Sequence, residues 1–125
     1  MAIIRDFKDL QAWQRARELT RHVYTICRNG PLAKDYGLKD QIQRAAVSVM
    51  SNIAEGFERI GQAEKLQYLN VARASCAEVR SLFVVAIDVG YLDEKTFREG
   101  DELTTQTSRL ITGLIKVIRA RTSPN

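Results

Sequence analysis

The spacing of the apolar residues limits the fold of this 125-residue chain more than any other feature of its sequence. Apolar side chains recur every three or four positions through four stretches, which is the pattern of helices that bury one face. Turn-forming residues separate the stretches at "NGP" (29–31), "RIG" (59–61) and "VGYLD" (89–93). The sequence therefore predicts an all-α chain with helices at about 9–29, 38–59, 62–89 and 93–121.

Four amphipathic helices with short connections are expected to pack as an antiparallel up-and-down four-helix bundle. The length fits one domain, residues 1–125, with one core. Cys27 and Cys76 have no metal-ligand spacing, and no stretch reaches the roughly 18 apolar residues that can span a bilayer. We therefore expect a soluble cytoplasmic protein with reduced thiols, no cofactor, no metal and no membrane partner.

The third stretch carries two apolar stripes side by side. In the first, Arg73 and Arg80 interrupt an apolar series. The second comprises Tyr68, Ala72, Val79, Leu82, Ala86 and Val89. A helix that is apolar over more than the usual bundle-facing width either faces a second partner or is the central helix of one subunit. The sequence leaves both interpretations open.

Four motifs, "FKDLQAW" (7–13), "YGLKDQIQRAAVSVMSNIAEGF" (36–57), "YLNVARASCAEV" (68–79) and "VGYL" (89–92), extend through most of the chain. They resemble the four-helix bundle family of 23S ribosomal RNA intervening-sequence proteins. The resemblance implies a small cytosolic bacterial protein that assembles into a ring-like homopentamer and has no enzymatic activity. The family is more distantly similar to the accessory protein of diversity-generating retroelements, a basic pentameric bundle that binds nucleic acid.

Two positions differ from the pattern of that family. Met50 stands where the family usually has proline, and Ala74 stands where it usually has glycine. A proline inside a helix removes a backbone donor and kinks the helix, so both replacements favour straighter helices.

A line of polar residues crosses the second stretch at steps of three or four positions. It contains Arg44, Ser48, Ser51 and Glu55, with Asn52 beside it. We interpret this line as a structural polar network that fixes the register between helices or subunits. A buried charge needs a partner, so we expect Glu78 to pair with Arg44, and Arg73 or Arg80 to pair with Glu55. The alternative is a polar pocket or binding surface.

Basic side chains are concentrated near both ends of the sequence, within a net charge of +4. Residues 1–30 carry six basic and three acidic side chains, whereas residues 103–125 carry four basic and no acidic ones. A homopentamer would repeat this basic surface and could contact many phosphates. The candidate nucleic-acid-binding residues are Arg15, Arg21, Arg28, Lys116, Arg119 and Arg121. The alternative is an ordinary solvated face.

No residue pattern predicts catalysis. The one histidine, His22, follows Glu18 by one turn without completing a di-iron motif, so we expect an exposed structural role. The sequence contains no nucleophile elbow, P-loop or dinucleotide fingerprint. It therefore predicts a non-enzymatic oligomeric module that binds RNA or DNA, and the alternative is a protein–protein interaction scaffold.

Overall fold

A computed structural model describes residues 3–121, which form five α-helices and no strand. Four of the helices are long. In chain order they are α1 (Gln11–Ile26), the short α2 (Gly30–Lys34), α3 (Tyr36–Glu58), α4 (Gln62–Asp88) and α5 (Glu94–Arg121). A 3-10 turn at Phe7–Asp9 precedes α1. The all-α prediction is confirmed for this part of the chain, while the predicted domain ends at 1–2 and 122–125 lie outside the described residues.

The first break in the sequence contains a helix that the spacing of apolar residues did not predict. The helix α1 ends at Ile26, and Gly30 takes a left-handed backbone conformation with a φ of 73°. Pro31 stands in the first turn of α2, where its missing N–H costs nothing and its fixed φ suits a helix. The carboxylate of Asp35 then caps α3 by accepting a hydrogen bond from the Leu38 N–H at 3.1 Å.

The third break ends one helix and starts the next as the sequence predicts. Gly90 follows the end of α4 with a φ of 83°, a conformation that glycine adopts without a steric penalty. The carboxylate of Asp93 accepts a hydrogen bond from the Thr96 N–H at 2.7 Å and caps α5. Between the first and second breaks, α3 is one continuous helix through Met50.

The core consists of two clusters, one toward each end of the helices. One cluster joins the end of α1 (Leu19, Val23), the start of α3 (Ile42) and the end of α4 (Val79, Phe83), with residues from the start of α5 packed against it. The other joins the start of α1 and of α4 to the end of α3 and of α5; its members include Ala16, Val49, Ile53, Leu69 and Ile111. Each long helix therefore contributes to both clusters.

The helix α4 is the most extensively buried helix of the described chain, and it contacts both α3 and α5. Four members of its second apolar stripe are buried within the chain: Ala72, Val79, Leu82 and Ala86. This part of the apolar surface is therefore covered within the subunit, where α4 contacts two long helices, as each of the other long helices does. A different set of apolar residues on α4 stays exposed, including Val71, Val84 and Val85.

The backbone of α5 lies close to α4 at Gly100. A Cβ atom at this position would lie 2.7 Å from Cζ of Phe83, a side chain with no exposed surface. The next turn of α5 presents Thr104 and Thr107, which are buried and donate their hydroxyls to the carbonyls of Gly100 and Leu103. Those hydrogen bonds explain how hydroxyl side chains are accommodated in the core.

We expect Gly100→Ala to destabilise the protein. The added methyl group overlaps the Phe83 ring, and overpacking of this kind costs about 1–3 kcal/mol, more than the roughly 1 kcal/mol that alanine contributes to helix propensity. Gly113→Ala is the matched control, because Gly113 lies in the same helix and has no atom within 4 Å of an added Cβ. It should stabilise the protein by about 0.5–1 kcal/mol. Urea unfolding of both variants measures the two effects, and equal shifts would contradict the proposed steric conflict.

Candidate nucleic-acid interface

Part of the polar line on α3 bridges to α4. The hydroxyl oxygens of Ser48 and Ser75 lie 2.8 Å apart, and the amide of Asn52 donates to both the carbonyl and the hydroxyl of Ser48, at 2.8 and 3.0 Å. Ser75 is buried, so this contact satisfies polar atoms inside the helix pair. Sequence reasoning missed Ser75, although its position beside Ala72 and Cys76 places it on the inward face of α4.

The expectation that Arg44 and Glu55 form buried ion pairs with residues of α4 is wrong for the single chain. The Arg44 side chain is 81% exposed and pairs with Asp40 on its own helix at 3.3 Å, rather than with Glu78. Glu55 pairs with Arg59 at 2.9 Å. Residues four positions apart on a helix are close neighbours, so each charge finds its partner one turn away, on α3 or at the residue that caps its end. Ser51 is exposed and donates to the carbonyl of Val47, and Glu78 is exposed. A role for these residues between subunits stays a prediction.

The six candidate binding residues lie on α1, on the turn that follows it and on α5, but not at one place. Arg15 is half-buried and pairs with Glu18 at 2.8 Å, whereas Arg21 and Arg28 are exposed. From residue 15 to residue 28, α1 and the turn after it cover about 20 Å at 1.5 Å per residue. The end of α1 joins the core cluster that contains the start of α5, whereas Lys116, Arg119 and Arg121 lie at the far end of α5.

The charges on α5 differ sharply between its two ends. Its first half carries the carboxylates of Glu94, Glu99, Asp101 and Glu102, and these lie toward the same end of the bundle as Arg21 and Arg28. Its second half carries four cations and no carboxylate: Arg109, Lys116, Arg119 and Arg121. The start of α1, with Arg15, packs beside that basic half. The positive surface is therefore concentrated at the end of the bundle where α1 begins and α5 ends.

His22 is half-buried, which corrects the expected exposed role. Its ring meets the Phe83 ring edge to face with 5.9 Å between the centroids, and it borders a depression formed by Glu99, Glu102 and Gln106. Burial lowers the pKa of His22, although the charge of Glu99 and a hydrogen bond with the Thr96 backbone act in the opposite direction. Its Nε2 atom has no hydrogen-bond partner among the described residues. The imidazole is thus held neutral as a packing group.

The two cysteines are unsuited to act as nucleophiles. Both are free and buried, and burial raises the pKa of Cys76 to about 12. Burial also raises the pKa of Cys27. Since the thiolate is the reactive form, both side chains behave as small apolar groups at neutral pH. Within residues 3–121, no group of three or more His, Cys, Asp or Glu side chains is placed to hold a metal ion.

No helix in the described part of the chain has the length and apolar character needed to cross a bilayer.

These features define an all-helical protein with neutral buried titratable groups and a basic surface at one end. The chain belongs to the 23S rRNA-intervening sequence protein family, whose sequence pattern matches residues 8–113. It is similar to a solved structure of a protein of unknown function from the S23 ribosomal protein family of Bacteroides thetaiotaomicron. The two are 22% identical with a TM-score of 0.79, over 87% of this chain and 98% of the other. No curated protein matches the sequence.

Lowering the pH should weaken the fold through His22. Its pKa in the folded chain lies below the ordinary value of 6.5, so between the two values the unfolded chain binds a proton that the folded chain does not. The free energy of unfolding should therefore fall as the pH decreases through this window. Denaturant unfolding at several pH values from about 7.5 to 5.5 measures it, in the range where histidine titrates and most carboxylates do not. His22→Gln should flatten the dependence, and an unchanged slope in that variant would assign it to other groups.

Proposed function

We propose that this protein is a non-enzymatic, oligomeric, cytoplasmic module that binds the phosphate backbone of RNA or DNA. The observation that carries the proposal is the second half of α5, where four exposed cations occur without a carboxylate. Arginine and lysine near phosphates release condensed counterions, which supplies affinity without reading base edges. The family description refers to 23S rRNA, so RNA is tested beside DNA.

We further propose that the four long helices run alternately up and down as an antiparallel bundle in one domain. The composition of the two core clusters supports this arrangement, because each combines the starts of two long helices with the ends of the other two. The contact between Gln62 at the start of α4 and the Ile118 carbonyl near the end of α5 also supports it. Such a bundle presents the basic half of α5 at one end of the subunit.

We propose that the outward face of α4 joins subunits into a ring-like homopentamer. Val71, Ala74, Glu78 and Val85 follow one another at helical steps and are all exposed. A row of small apolar side chains favours close packing against a second helix, and Glu78 could pair with Arg44 of a neighbouring subunit. Five copies of the basic end would then bind one polyanion with avidity, since each contact raises the effective concentration of the next.

A protein–protein scaffold is the second candidate function. The exposed valines of α4 support it, because the same apolar face could receive another protein instead of a second copy of this chain. In that case the basic end would contribute to solubility alone.

We expect the candidate binding residues at the two ends of the bundle to contribute unequally to nucleic-acid binding. Lys116→Gln with Arg121→Gln removes two charges from the basic end, whereas Arg21→Gln with Arg28→Gln removes two charges beside the carboxylates of α5. The first pair of substitutions should weaken binding more, and it should do so for all nucleic-acid sequences alike.

The affinity of the wild type should fall steeply between about 50 and 200 mM salt. Fluorescence anisotropy with labelled duplex DNA and structured RNA measures both effects, and a lack of binding at low salt would favour the scaffold.

Disrupting the outward face of α4 should dissociate the ring. Val71→Glu with Val85→Glu places carboxylates in an apolar interface, where unpaired charges are strongly unfavourable. Ile60→Glu is the control, because Ile60 is 98% exposed and lies outside the helices. Multi-angle light scattering at micromolar concentration should show a pentamer for the wild type and the control, and a smaller species for the double variant. A wild-type mass of 14.2 kDa would contradict the ring.

A further inference from the structure

An open groove of about 660 Å³ runs between α4 and α5, on a different side of α4 from Val71 and Val85. Two contacts fix how the helices lie along each other: Arg80 pairs with Asp101 at 2.8 Å, and Gln62 binds the Ile118 carbonyl. One end of the groove therefore has Arg73 of α4 opposite Arg109 of α5, and the other end has Val84 opposite Phe97.

The end of the groove with Arg73 and Arg109 is suited to an anion. Both side chains are exposed, and neither forms an ion pair with any residue from 3 to 121. Arg73 donates one hydrogen bond to Oδ1 of Asn70 at 3.2 Å, and its guanidinium group has further N–H donors. Asp101 is the one carboxylate that lines the groove, and Arg80 already neutralises it. The hydroxyl of Ser108, beside Arg109, makes no hydrogen bond within the described chain. Two guanidinium groups and a free hydroxyl are the donors that phosphate oxygens accept, and the planar guanidinium fork binds phosphate with two parallel hydrogen bonds.

The other end of the groove is apolar. Val84 is 42% exposed, and the half-buried Phe97 lines the wall opposite it. Ala77 lines the middle of the groove on the α4 side. The eleven steps from residue 73 to residue 84 correspond to about 16 Å of helix, so a ligand lying along the groove can reach both ends. Such a ligand needs a charged phosphate at one end and a flat apolar group at the other.

We propose that this groove binds a nucleoside phosphate unit, with the phosphate at Arg73 and Arg109 and the base toward Val84 and Phe97. The unit is either an unpaired nucleotide of a nucleic-acid strand or a free nucleotide. The strand source rests on the proposed function, and the groove is continuous with that surface, because Arg109 also borders the depression beside Arg15. The groove adds a preference that the basic end lacks: unpaired nucleotides bind better than a duplex, whose bases are already stacked.

Arginine modification tests the site directly on the full-length protein. Adenosine monophosphate should protect Arg73 and Arg109 from phenylglyoxal, as measured by mass spectrometry of the digested protein. Arg98 is the internal control, since it is exposed on α5 but does not line the groove. Inorganic phosphate should protect the same two arginines at higher concentration, because it lacks the group for the apolar end. No protection, or equal protection of Arg98, would overturn the proposal.

Charge-matched variants separate the groove from general electrostatic attraction. Arg73→Gln with Arg109→Gln should lower the affinity for adenosine monophosphate and for a single-stranded oligonucleotide at least about tenfold, since hydrogen bonds to charged groups are lost at both positions. Lys95→Gln with Arg98→Gln removes the same charge elsewhere on α5 and should change both affinities little. Circular dichroism checks that both variants are folded. Equal losses in the two variants would overturn the site.

The outcomes also distinguish this inference from the proposed function. Binding of duplex and structured RNA without protection by the mononucleotide would overturn the groove and leave the backbone-binding function intact. Protection by the mononucleotide without binding of any polymer would support the groove as a site for free nucleotides and contradict the proposed function. Protection together with a preference for single strands supports both.

Discussion

The contact between Gly100 and Phe83 positions much of the rest of the molecule. Phe83 is fully buried in the cluster that joins α1, α3 and α4, and the bare backbone of α5 at Gly100 lies against its ring. On another side the ring meets His22 edge to face. The same close approach brings Arg80 within 2.8 Å of Asp101 one residue further along α5. One aromatic side chain thus connects the packing of four helices to the register of the groove between α4 and α5.

The spacing of apolar residues predicted the four long helices and the turn at Gly90 and Asp93, because both depend on local chemistry. The spacing does not predict the short helix α2, because glycine and proline indicate a break, although proline is also favoured in the first turn of a helix. Periodicity also showed that α4 has a wide apolar surface without showing what covers it. That answer required tertiary packing, which buries Ala72 and Val79 inside the subunit and leaves Val71 and Val85 outside.

The sequence predicts the candidate sites less well than it predicts the fold. The helix face on which a polar residue lies does not show how deeply its side chain is buried or which residue it contacts. Ser48 and Asn52 lie where α3 meets α4, but Arg44 and Glu55 follow the same spacing and are exposed with partners on their own helix. Arg73 was noticed as an interruption in an apolar stripe. Its meaning depends on Arg109, 36 positions later, which α5 places at the same end of the groove. Only the pairing of helices brings the two together.

The titratable groups inside the protein differ from those on its surface. General acid–base chemistry needs groups near neutrality that converge on one point, yet burial raises the pKa of both cysteines and lowers the pKa of the half-buried His22. The exposed ionisable groups are chiefly arginine and lysine together with aspartate and glutamate, and the charges of all four change little near neutral pH. A surface of this kind responds to ionic strength rather than to pH. The folded protein therefore carries permanent charges of both signs on its surface, and in the second half of α5 the positive charges occur without carboxylates.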